Sequence, residues 1–224
     1  KKKYITGANV NIGNYIVNTI FGFEIKGVKA FNQNTWIVYG SYGLIPSILY
    51  SNNGGNSYTL VYYSRFTPLE VSTGITDMAF PQNSATGYAI DADRILKTTD
   101  GGLSWFAVGI YPNSCFDHVD AVDDNIVYII SDYYTGDIQF PNNRSFTNNK
   151  LLKTNNAGTT WQTVNIPSGG VKTTSFRTPA IGHLSIDGNL FFTVNGGTTW
   201  SQKNNPAIPN LNLRKIKYNK ESTG

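Results

Sequence analysis

The residues of this chain that could perform acid–base chemistry are a small number of carboxylates. Glycoside hydrolysis needs two carboxyl groups on either side of the scissile bond, and the chain has only three glutamates, at positions 24, 70 and 221. Aspartates are close together at Asp91 and Asp93 and again between Asp117 and Asp124. The second group alternates as a strand that runs into a turn does, so we interpret it as a strand and not as a metal or acid–base cluster.

The histidines and the cysteine give no stronger catalytic pattern. His118 and His183 have no second histidine or cysteine at the spacing of a zinc site. Cys115 is the single cysteine, and beside Phe116 we interpret it as a small core residue. Paired glycines never stand between a strand and a helix, as a phosphate-binding loop requires. The sequence therefore predicts no metal and no cofactor.

One eight-residue pattern, Ser/Thr-x-Asp/Asn-x-Gly-x-Ser/Thr-Trp/Tyr, occurs four times. An Asn or Asp side chain at the third position can accept backbone N–H groups in a tight turn. Glycine at the fifth position supplies a positive φ, and the aromatic residue can pack between neighbouring units. Three copies carry Asn, which cannot act as a general base, so we interpret the pattern as structural. Its positions are Ser51, Asn53, Gly55, Tyr58, Thr98, Asp100, Gly102, Trp105, Thr154, Asn156, Gly158, Trp161, Thr193, Asn195, Gly197 and Trp200.

The spacing of these copies predicts the elements that carry them. Their first residues, 51, 98, 154 and 193, are 47, 56 and 39 residues apart, which is typical of four-stranded propeller blades. The four units are predicted to have strands at 27–31, 36–40, 47–50 and 58–61; 75–80, 87–90, 94–97 and 105–108; 119–122, 125–130 and 151–153; and 174–176, 183–186, 190–192 and 200–202. The repeated turn joins the third and fourth strands of each unit.

These strands predict an all-β fold, a β-propeller of four-stranded antiparallel blades, in one domain over residues 1–224. Residues 213–218 read as the first strand of a further blade, and residues 4–23 would supply the remaining strands of that blade or of a preceding one. Two arrangements follow: a ring of about five blades or an arc of a larger propeller. A start at Lys1 without methionine suggests a piece of a longer protein.

Composition agrees with this fold class. The chain is 40% hydrophobic and 14% charged, with 22 Gly and 14 Tyr, a balance that favours strands and turns. No apolar run is long enough to span a membrane. The net charge of +4 includes lysine and arginine clusters at the two ends, which we interpret as solvated termini and not as a nucleic-acid surface.

The pattern resembles a known repeat. The segment from Arg94 to Trp105, with the sequence RILKTTDGGLSW, is similar to the Asp-box, or BNR, repeat of photosystem II stability/assembly-factor-like and sortilin-type propellers. The resemblance covers roughly residues 24–202. It implies the propeller fold but not one activity, because Asp-box propellers include sialidases, xyloglucan-cleaving glycosidases, sorting receptors and assembly factors.

The resemblance also allows the sialidase reading to be tested. Sialidases of this kind hold a substrate carboxylate with three arginines and carry an Arg-Ile-Pro motif before the first repeat. The nearest strings here, at 65–68 and 177–179, depart from that motif and follow at least one repeat. Arg94 falls at the start of a routine third strand. Sialidase activity is therefore disfavoured.

The longest interval between repeats points to a binding loop. An insertion at about residues 132–149 combines aromatic, amide and arginine groups suited to a protein or glycan surface. Its candidate contacts are Tyr133, Tyr134, Asp137, Phe140, Arg144 and Phe146; a solvated decoration is the alternative. A second candidate is the segment 62–66, where packing of the aromatic side chains is the alternative.

We therefore expect a non-catalytic binding or assembly-platform module of a secreted or cell-surface bacterial protein, located outside the cell, at its surface or in the periplasm. Its partner would be a protein or a glycan. The rival expectation is a glycoside hydrolase, xyloglucanase-like or sialidase-like, or a fragment of one. The two differ in whether two carboxyls face one cleft or aromatic residues line a loop face.

Overall fold

The computed structural model describes residues 9–12, 15–17, 22–43, 45–64, 74–91, 93–111, 114–135 and 145–203, with side chains from residue 22 onward except at 132–135 and 145–149. The strands form four antiparallel four-stranded arrangements in chain order. The first contains β3 (Phe23–Ala30), β4 (Trp36–Tyr42), β5 (Ile45–Ser51) and β6 (Ser57–Tyr63); the second β7 (Asp77–Ala79), β8 (Gly87–Ile90), β9 (Arg94–Thr98) and β10 (Phe106–Ile110); the third β11 (Ser114–Ala121), β12 (Val127–Thr135), β13 (Ser145–Thr154) and β14 (Gln162–Val164); the fourth β15 (Val171–Phe176), β16 (Gly182–Ile186), β17 (Asn189–Thr193) and β18 (Ser201–Lys203).

The chain divides into two compact units. The first comprises residues 1–78 and 85–110, and the second residues 79–84 and 111–224. The core of the first unit includes Phe23, Val38, Leu49 and Tyr58. The core of the second is built by Tyr128, Ile130, Leu151, Val171, Phe176, Leu184 and Ile186. Middle strands such as β12 are continuous apolar runs, because both of their faces are buried: residues 127–130 are wholly inaccessible to solvent.

The N-terminal residues take a position that the sequence did not indicate. Strands β1 (Asn9–Ile12) and β2 (Tyr15–Val17) form an antiparallel hairpin, and β1 pairs in parallel with β6, at the outer end of the first sheet. Residues 4–23 were predicted to supply strands of a final or a preceding blade. In the structure, residues 9–17 extend the first sheet instead. Pairing with β6 covers backbone donors and acceptors that an edge strand would otherwise expose. The predicted strand at 213–218 lies outside the described residues.

The four repeated turns join the third and fourth strands of each sheet and share one hydrogen-bond pattern. The hydroxyl of the first residue accepts the N–H of the fifth-position glycine at 2.9–3.0 Å and donates to Oδ1 of the third residue at 2.7–3.0 Å. That Oδ1 also accepts the N–H of the seventh residue at 2.9–3.0 Å. The glycines have φ between 85° and 93°, a range that side chains rarely adopt.

The same pattern accommodates either Asn or Asp at the third position. Asn53, Asn156 and Asn195 each donate through Nδ2 to the hydroxyl of the seventh residue at 2.8–2.9 Å. At Asp100 the direction reverses, and Ser104 Oγ donates to Oδ2 at 2.6 Å. A hydroxyl can donate or accept, so both versions satisfy the turn.

A further hydrogen bond ties each turn to the loop between the first and second strands of its own sheet. The N–H of the fourth residue donates to a carbonyl there, from Gly54 to Asn34, from Gly101 to Ala85, from Ala157 to Asn125 and from Gly196 to Ala180, at 2.8–3.0 Å. The turn therefore fastens two hairpins of one sheet together.

The aromatic eighth residues differ in how their polar atoms are satisfied. Trp105 donates from Nε1 to the carbonyl of Gly102, and Trp200 to that of Asn165, both at 3.1 Å. The buried Nε1 of Trp161 has no hydrogen-bond partner among the described residues.

We expect Thr98→Val to destabilise the chain by about 1–3 kcal/mol, because the N–H of Gly102 would be left buried without its acceptor. Thr98 is wholly buried, and its hydroxyl serves both Gly102 and Asp100. Urea unfolding would measure the loss. Thr98→Ser is the matched control, since serine occupies this position at Ser51, and Asp100→Asn should be nearly neutral. A Thr98→Val loss no larger than that of Thr98→Ser would contradict the role of the hydroxyl.

Candidate functional sites

A buried polar group lies where β8 turns into β9 in the first unit. We name Tyr62, Ser64, Asp91, Asp93 and Arg94 the Asp91 cluster. The turn is held by the N–H of Arg94, which donates to Asp91 Oδ1 at 3.2 Å, and by the N–H of Asp91, which donates to the carbonyl of Arg94 at 3.1 Å. The sequence therefore folds into a closed turn that brings both carboxylates onto one guanidinium.

Arg94 connects the members of this cluster. Its Nη1 lies 4.0 Å from Asp91 Oδ2, its Nε lies 3.8 Å from Asp93 Oδ1, and it donates a hydrogen bond to Ser64 Oγ. Asp91 is only 2% exposed, and its Oδ2 has no hydrogen-bond partner in the described part of the chain. Arg94 was interpreted from sequence as a routine strand residue, but in the structure it is the charge that balances two carboxylates.

Burial raises the pKa of the Asp91 carboxyl to about 6; Asp93 raises it further, whereas Arg94 and backbone hydrogen bonds oppose the shift. Burial also raises the pKa of Tyr62, with Asp91 adding to the effect. A carboxylic acid in this range can hold its proton near neutral pH, as a general acid must. This cluster is the strongest acid–base candidate among the described residues.

We expect the free energy of unfolding to fall as the pH rises from about 4 to about 7. The folded pKa of Asp91 is about 6 and its usual value is 3.8, so between these values the folded chain binds more protons than the unfolded chain, and raising the pH favours unfolding. Asp91→Asn should remove this part of the profile, on the order of 2–3 kcal/mol. Urea unfolding between pH 4 and pH 8 would measure it, with Asp187→Asn, at an exposed carboxylate outside the cluster, as the control. An unchanged profile in Asp91→Asn would contradict the assignment.

The first strands of the third and fourth sheets meet directly in the second unit. The ring nitrogen His118 Nε2 lies 2.9 Å from the carbonyl oxygen of Thr174, and Asp120 Oδ2 accepts the N–H of Phe176 at 2.6 Å. A carbonyl only accepts hydrogen bonds, so Nε2 carries a proton and is not free to act as a base. The segment 117–124, interpreted as a strand running into a turn, forms the end of β11 and the turn after it.

β-Bulges interrupt three of the first strands at matching places. Register shifts between Ile25 and Gly27, between Phe116 and His118, and between Val171 and Thr173 leave Lys26, Asp117 and Lys172 unpaired in their ladders. Bulges re-aim side chains and are common beside functional sites. In the second unit, partial burial raises the pKa of Asp117, and the positive charge of Lys172 opposes it. Sequence reasoning did not single out Lys26 or Lys172, because a bulge is set by the register between two strands.

The described residues of the predicted insertion, 132–135 and 145–149, continue two strands. β12 and β13 stay paired as far as Thr135 and Ser145, whereas β11 pairs with β12 only to Tyr133 and β14 pairs with β13 only at residues 151–153. We name residues 131–149 the β12–β13 arm. Tyr134 and Phe146 are opposite each other in the register.

Several predicted contacts cannot be placed on this arm. The side chains of Tyr133, Tyr134 and Phe146 lie outside the described part of the structure, and so do Asp137, Phe140 and Arg144 entirely. Their role in binding stays a prediction. In the second predicted segment, Tyr63 is 51% exposed and Ser64 is buried, while residues 65 and 66 lie outside the description.

No group of three metal-ligating side chains occurs within the described ranges. The same residues contain no helix that is long and apolar enough to cross a membrane. No protein-family model matches the sequence, and no curated protein matches it.

Solved structures do match the fold. A structure of YCF48 bound to D1 peptide shares 14% identity and a TM-score of 0.53, over 82% of this chain and 54% of that one. The GH74 xyloglucanase from Xanthomonas campestris shares 17% identity and a TM-score of 0.55, over 75% and 28%. An ancestral GH74 enzyme shares 17% identity and a TM-score of 0.58, over 83% and 24%. The chain thus spans about half of the YCF48 structure and about a quarter of the GH74 enzymes.

The four sheets and these likenesses define the class of protein. The chain is an all-β protein built from four-stranded antiparallel β-propeller blades, and the predicted fold class is confirmed. Structures with a similar fold include YCF48 bound to D1 peptide and GH74 enzymes, one of them a xyloglucanase, so the fold is shared by a peptide-bound protein and by enzymes alike.

Proposed function

We propose that the chain is a binding or assembly-platform module of the Asp-box propeller type, belonging to a secreted or cell-surface bacterial protein that recognises a protein or a glycan. The observation that carries this proposal is the β12–β13 arm. Its strands are nine and ten residues long and extend beyond the strands on either side. Loops that project from a rigid scaffold are the usual carriers of recognition.

Two further observations support this reading. In each repeated turn the Asp or Asn side chain accepts a backbone N–H and so holds the turn. Such a structural role is in keeping with an Asp-box scaffold. The YCF48 structure has a peptide bound to a related fold. The composition of the arm, with tyrosine, phenylalanine and arginine close together, is that of a recognition surface.

The experiment removes the arm and leaves the sheet intact. Residues 133–148 are replaced by Asn-Gly, so that Asp132 and Asn149, which are paired, close a two-residue hairpin. A second variant keeps the arm length and changes Tyr133, Tyr134, Phe140 and Phe146 to serine, so that it tests the aromatic side chains alone. Binding is read on a displayed peptide library and on a glycan array, and reducing ends released from xyloglucan are counted in parallel.

The proposal expects ligands captured by the native chain, about tenfold weaker capture by both variants, and no release of reducing ends. Capture that is unchanged without the arm would contradict the arm as the binding surface. Turnover of xyloglucan or of aryl glycosides by the native chain would overturn the non-catalytic reading.

The second candidate function is glycoside hydrolysis, and one observation favours it. Asp91 has a pKa raised to about 6 and a neighbouring carboxylate on the same arginine, as an acid paired with a carboxylate would need. Xyloglucan hydrolysis that is lost in Asp91→Asn and kept in the arm-shortened variant would support this candidate over the first.

A further inference from the structure

The Asp91 cluster joins the first and second sheets inside the first unit. Tyr62 lies in β6, and Ser64 directly follows that strand. Asp91 follows β8, and Arg94 begins β9. The guanidinium of Arg94 connects the two sheets, because it donates a hydrogen bond to Ser64 Oγ. Ser64 in turn donates its N–H to the carbonyl of Pro46 at 3.0 Å, so the arginine acts beside a backbone hydrogen bond between β5 and β6.

One oxygen of this cluster is buried without a hydrogen bond. Asp91 Oδ2 has no hydrogen-bond partner in the described part of the chain, and Nη1 of Arg94 stays 4.0 Å from it. The other oxygen, Oδ1, accepts the N–H of Arg94. Burial of a carboxylate oxygen that lacks a hydrogen-bond donor disfavours the ionised form. The geometry of the closed cluster therefore favours Asp91 as a neutral acid.

The titratable and charged groups that face Asp91 belong to two elements of the described structure. Burial, the largest cause, raises the pKa of Asp91 to about 6; within its own turn, Arg94 lowers this pKa and Asp93 raises it. Tyr62 faces Asp91 from β6, and burial raises the pKa of its phenol above the usual value of 10.0. Tyr62 therefore stays uncharged near neutral pH, whereas the charge of Asp91 changes there.

We propose that the Asp91 cluster is a proton-operated latch between β6 and the turn that joins β8 to β9. While Asp91 holds its proton, Arg94 stays on Ser64 and the two sheets are joined. Loss of that proton to solvent leaves a negative oxygen 4.0 Å from Nη1 of Arg94. This charge draws the guanidinium away from Ser64 and admits water to the carboxylate. The latch is therefore closed in mildly acidic solution and opens near neutral pH.

The pH range of the latch follows from the two environments of one carboxyl group. In the closed latch the pKa of Asp91 is about 6, and its usual value of 3.8 applies once water reaches the group. Between these values the closed form binds a proton that the open form has lost, so raising the pH favours opening. Opening should become about tenfold more frequent from about pH 5 to about pH 7 and should level off above that.

The test follows single backbone amides of the full chain under native conditions. Hydrogen exchange of the Ser64 N–H, corrected for its intrinsic rate at each pH, measures how often the latch opens. We expect its protection to fall about tenfold from about pH 5 to about pH 7. Low concentrations of urea separate the latch from global unfolding. Exchange of Ser64 should hardly depend on urea, whereas exchange of Val38 and Leu49, in the core of the same unit, should accelerate with it.

Two variants and one spectrum assign the effect to Asp91. Asp91→Asn keeps an uncharged side chain at this position and should hold the protection of Ser64 constant over the whole range. Asp187→Asn, at an exposed carboxylate outside the cluster, is the matched control and should keep the fall of about tenfold. The carboxyl carbon signal of Asp91, followed by NMR in the native chain, should titrate with a pKa of about 6. This last measurement keeps the inference testable if Asp91→Asn does not fold.

Three results would overturn the inference. Protection of Ser64 that does not change with pH would show that no proton operates the latch. A urea dependence of Ser64 equal to that of Val38 would mean that the cluster opens only when the chain unfolds. A pH profile that persists in Asp91→Asn would assign the effect to another group.

The latch goes beyond the proposed function, because Asp91 lies in the first unit and the β12–β13 arm in the second. Ligand capture by the arm and exchange at Ser64 are measured independently. Loss of capture in the arm-shortened variant leaves the exchange profile unaffected, so the two proposals fail separately.

Discussion

Replacing Phe176 by alanine is expected to lower the free energy of unfolding by about 3–5 kcal/mol, the usual cost of removing a buried aromatic side chain. Phe176 is wholly buried and stacks on Tyr128 with ring centroids 3.7 Å apart, and it meets Trp200 edge to face at 6.2 Å. Its loss would open a cavity between the third and fourth sheets, where the core of the second unit is concentrated.

Guanidinium unfolding followed by tryptophan fluorescence would measure this loss, since Trp200 contacts the affected ring. Phe176→Leu should cost less, because it leaves a smaller cavity. Ile181→Ala is the surface control, as Ile181 is 41% exposed, and should change stability by no more than about 0.5 kcal/mol. A Phe176→Ala loss below that of Phe176→Leu would contradict the packing described here.

Replacing Gly40 by alanine is expected to destabilise the chain by about 3 kcal/mol or more, because the added Cβ meets backbone that has no room to move. The Cβ would overlap the carbonyl oxygen of Glu24 and approach the nitrogen of Lys26 to 3.0 Å. These atoms belong to the bulge in β3. The carbonyl of Gly40 also accepts the N–H of Ile75, so the strain would reach the start of the second sheet.

Gly43→Ala is the matched control for Gly40→Ala. Gly43 follows the same strand and has nothing within 4 Å of an added Cβ, but its φ is +61°, so its substitution should cost only about 1 kcal/mol. Melting temperatures of the two variants would compare them directly. If Gly40→Ala formed inclusion bodies, its soluble yield relative to Gly43→Ala would give the same ordering. Equal melting temperatures would contradict the close approach.

Much of the fold is predictable from local sequence because the repeat fixes local geometry. The predicted second strands at 36–40 and 87–90 match β4 and β8, and the turns fall between the third and fourth strands as predicted. The parallel pairing of β1 with β6 was not predictable, because it joins residues 48 positions apart and no turn chemistry marks it. The extension of β12 and β13 was read as a loop, since its polar and aromatic residues lack strand alternation.

The candidate sites were predictable only in part. Asp91, Asp93 and Arg94 were each noted from sequence, but their association depends on a closed turn and on Ser64, which lies 30 residues from Arg94. The bulges at Lys26, Asp117 and Lys172 arise from strand register, which pairs distant residues. Propensity describes single strands and not the register between them, so these charged positions emerge only from the assembled sheet.

The anchoring of the repeated turns has a consequence for the chemical ageing of the protein. Asn53-Gly54 and Asn195-Gly196 are sequences prone to deamidation, in which the glycine nitrogen attacks the asparagine side chain, ammonia leaves and water opens the succinimide. In the folded chain the N–H groups of Gly54 and Gly196 donate to Asn34 and Ala180, and both asparagine side chains are hydrogen-bonded on each side. The attacking nitrogen is therefore occupied. We therefore expect these two sites to deamidate mainly while the chain is unfolded, so the extent of deamidation would report the time spent unfolded.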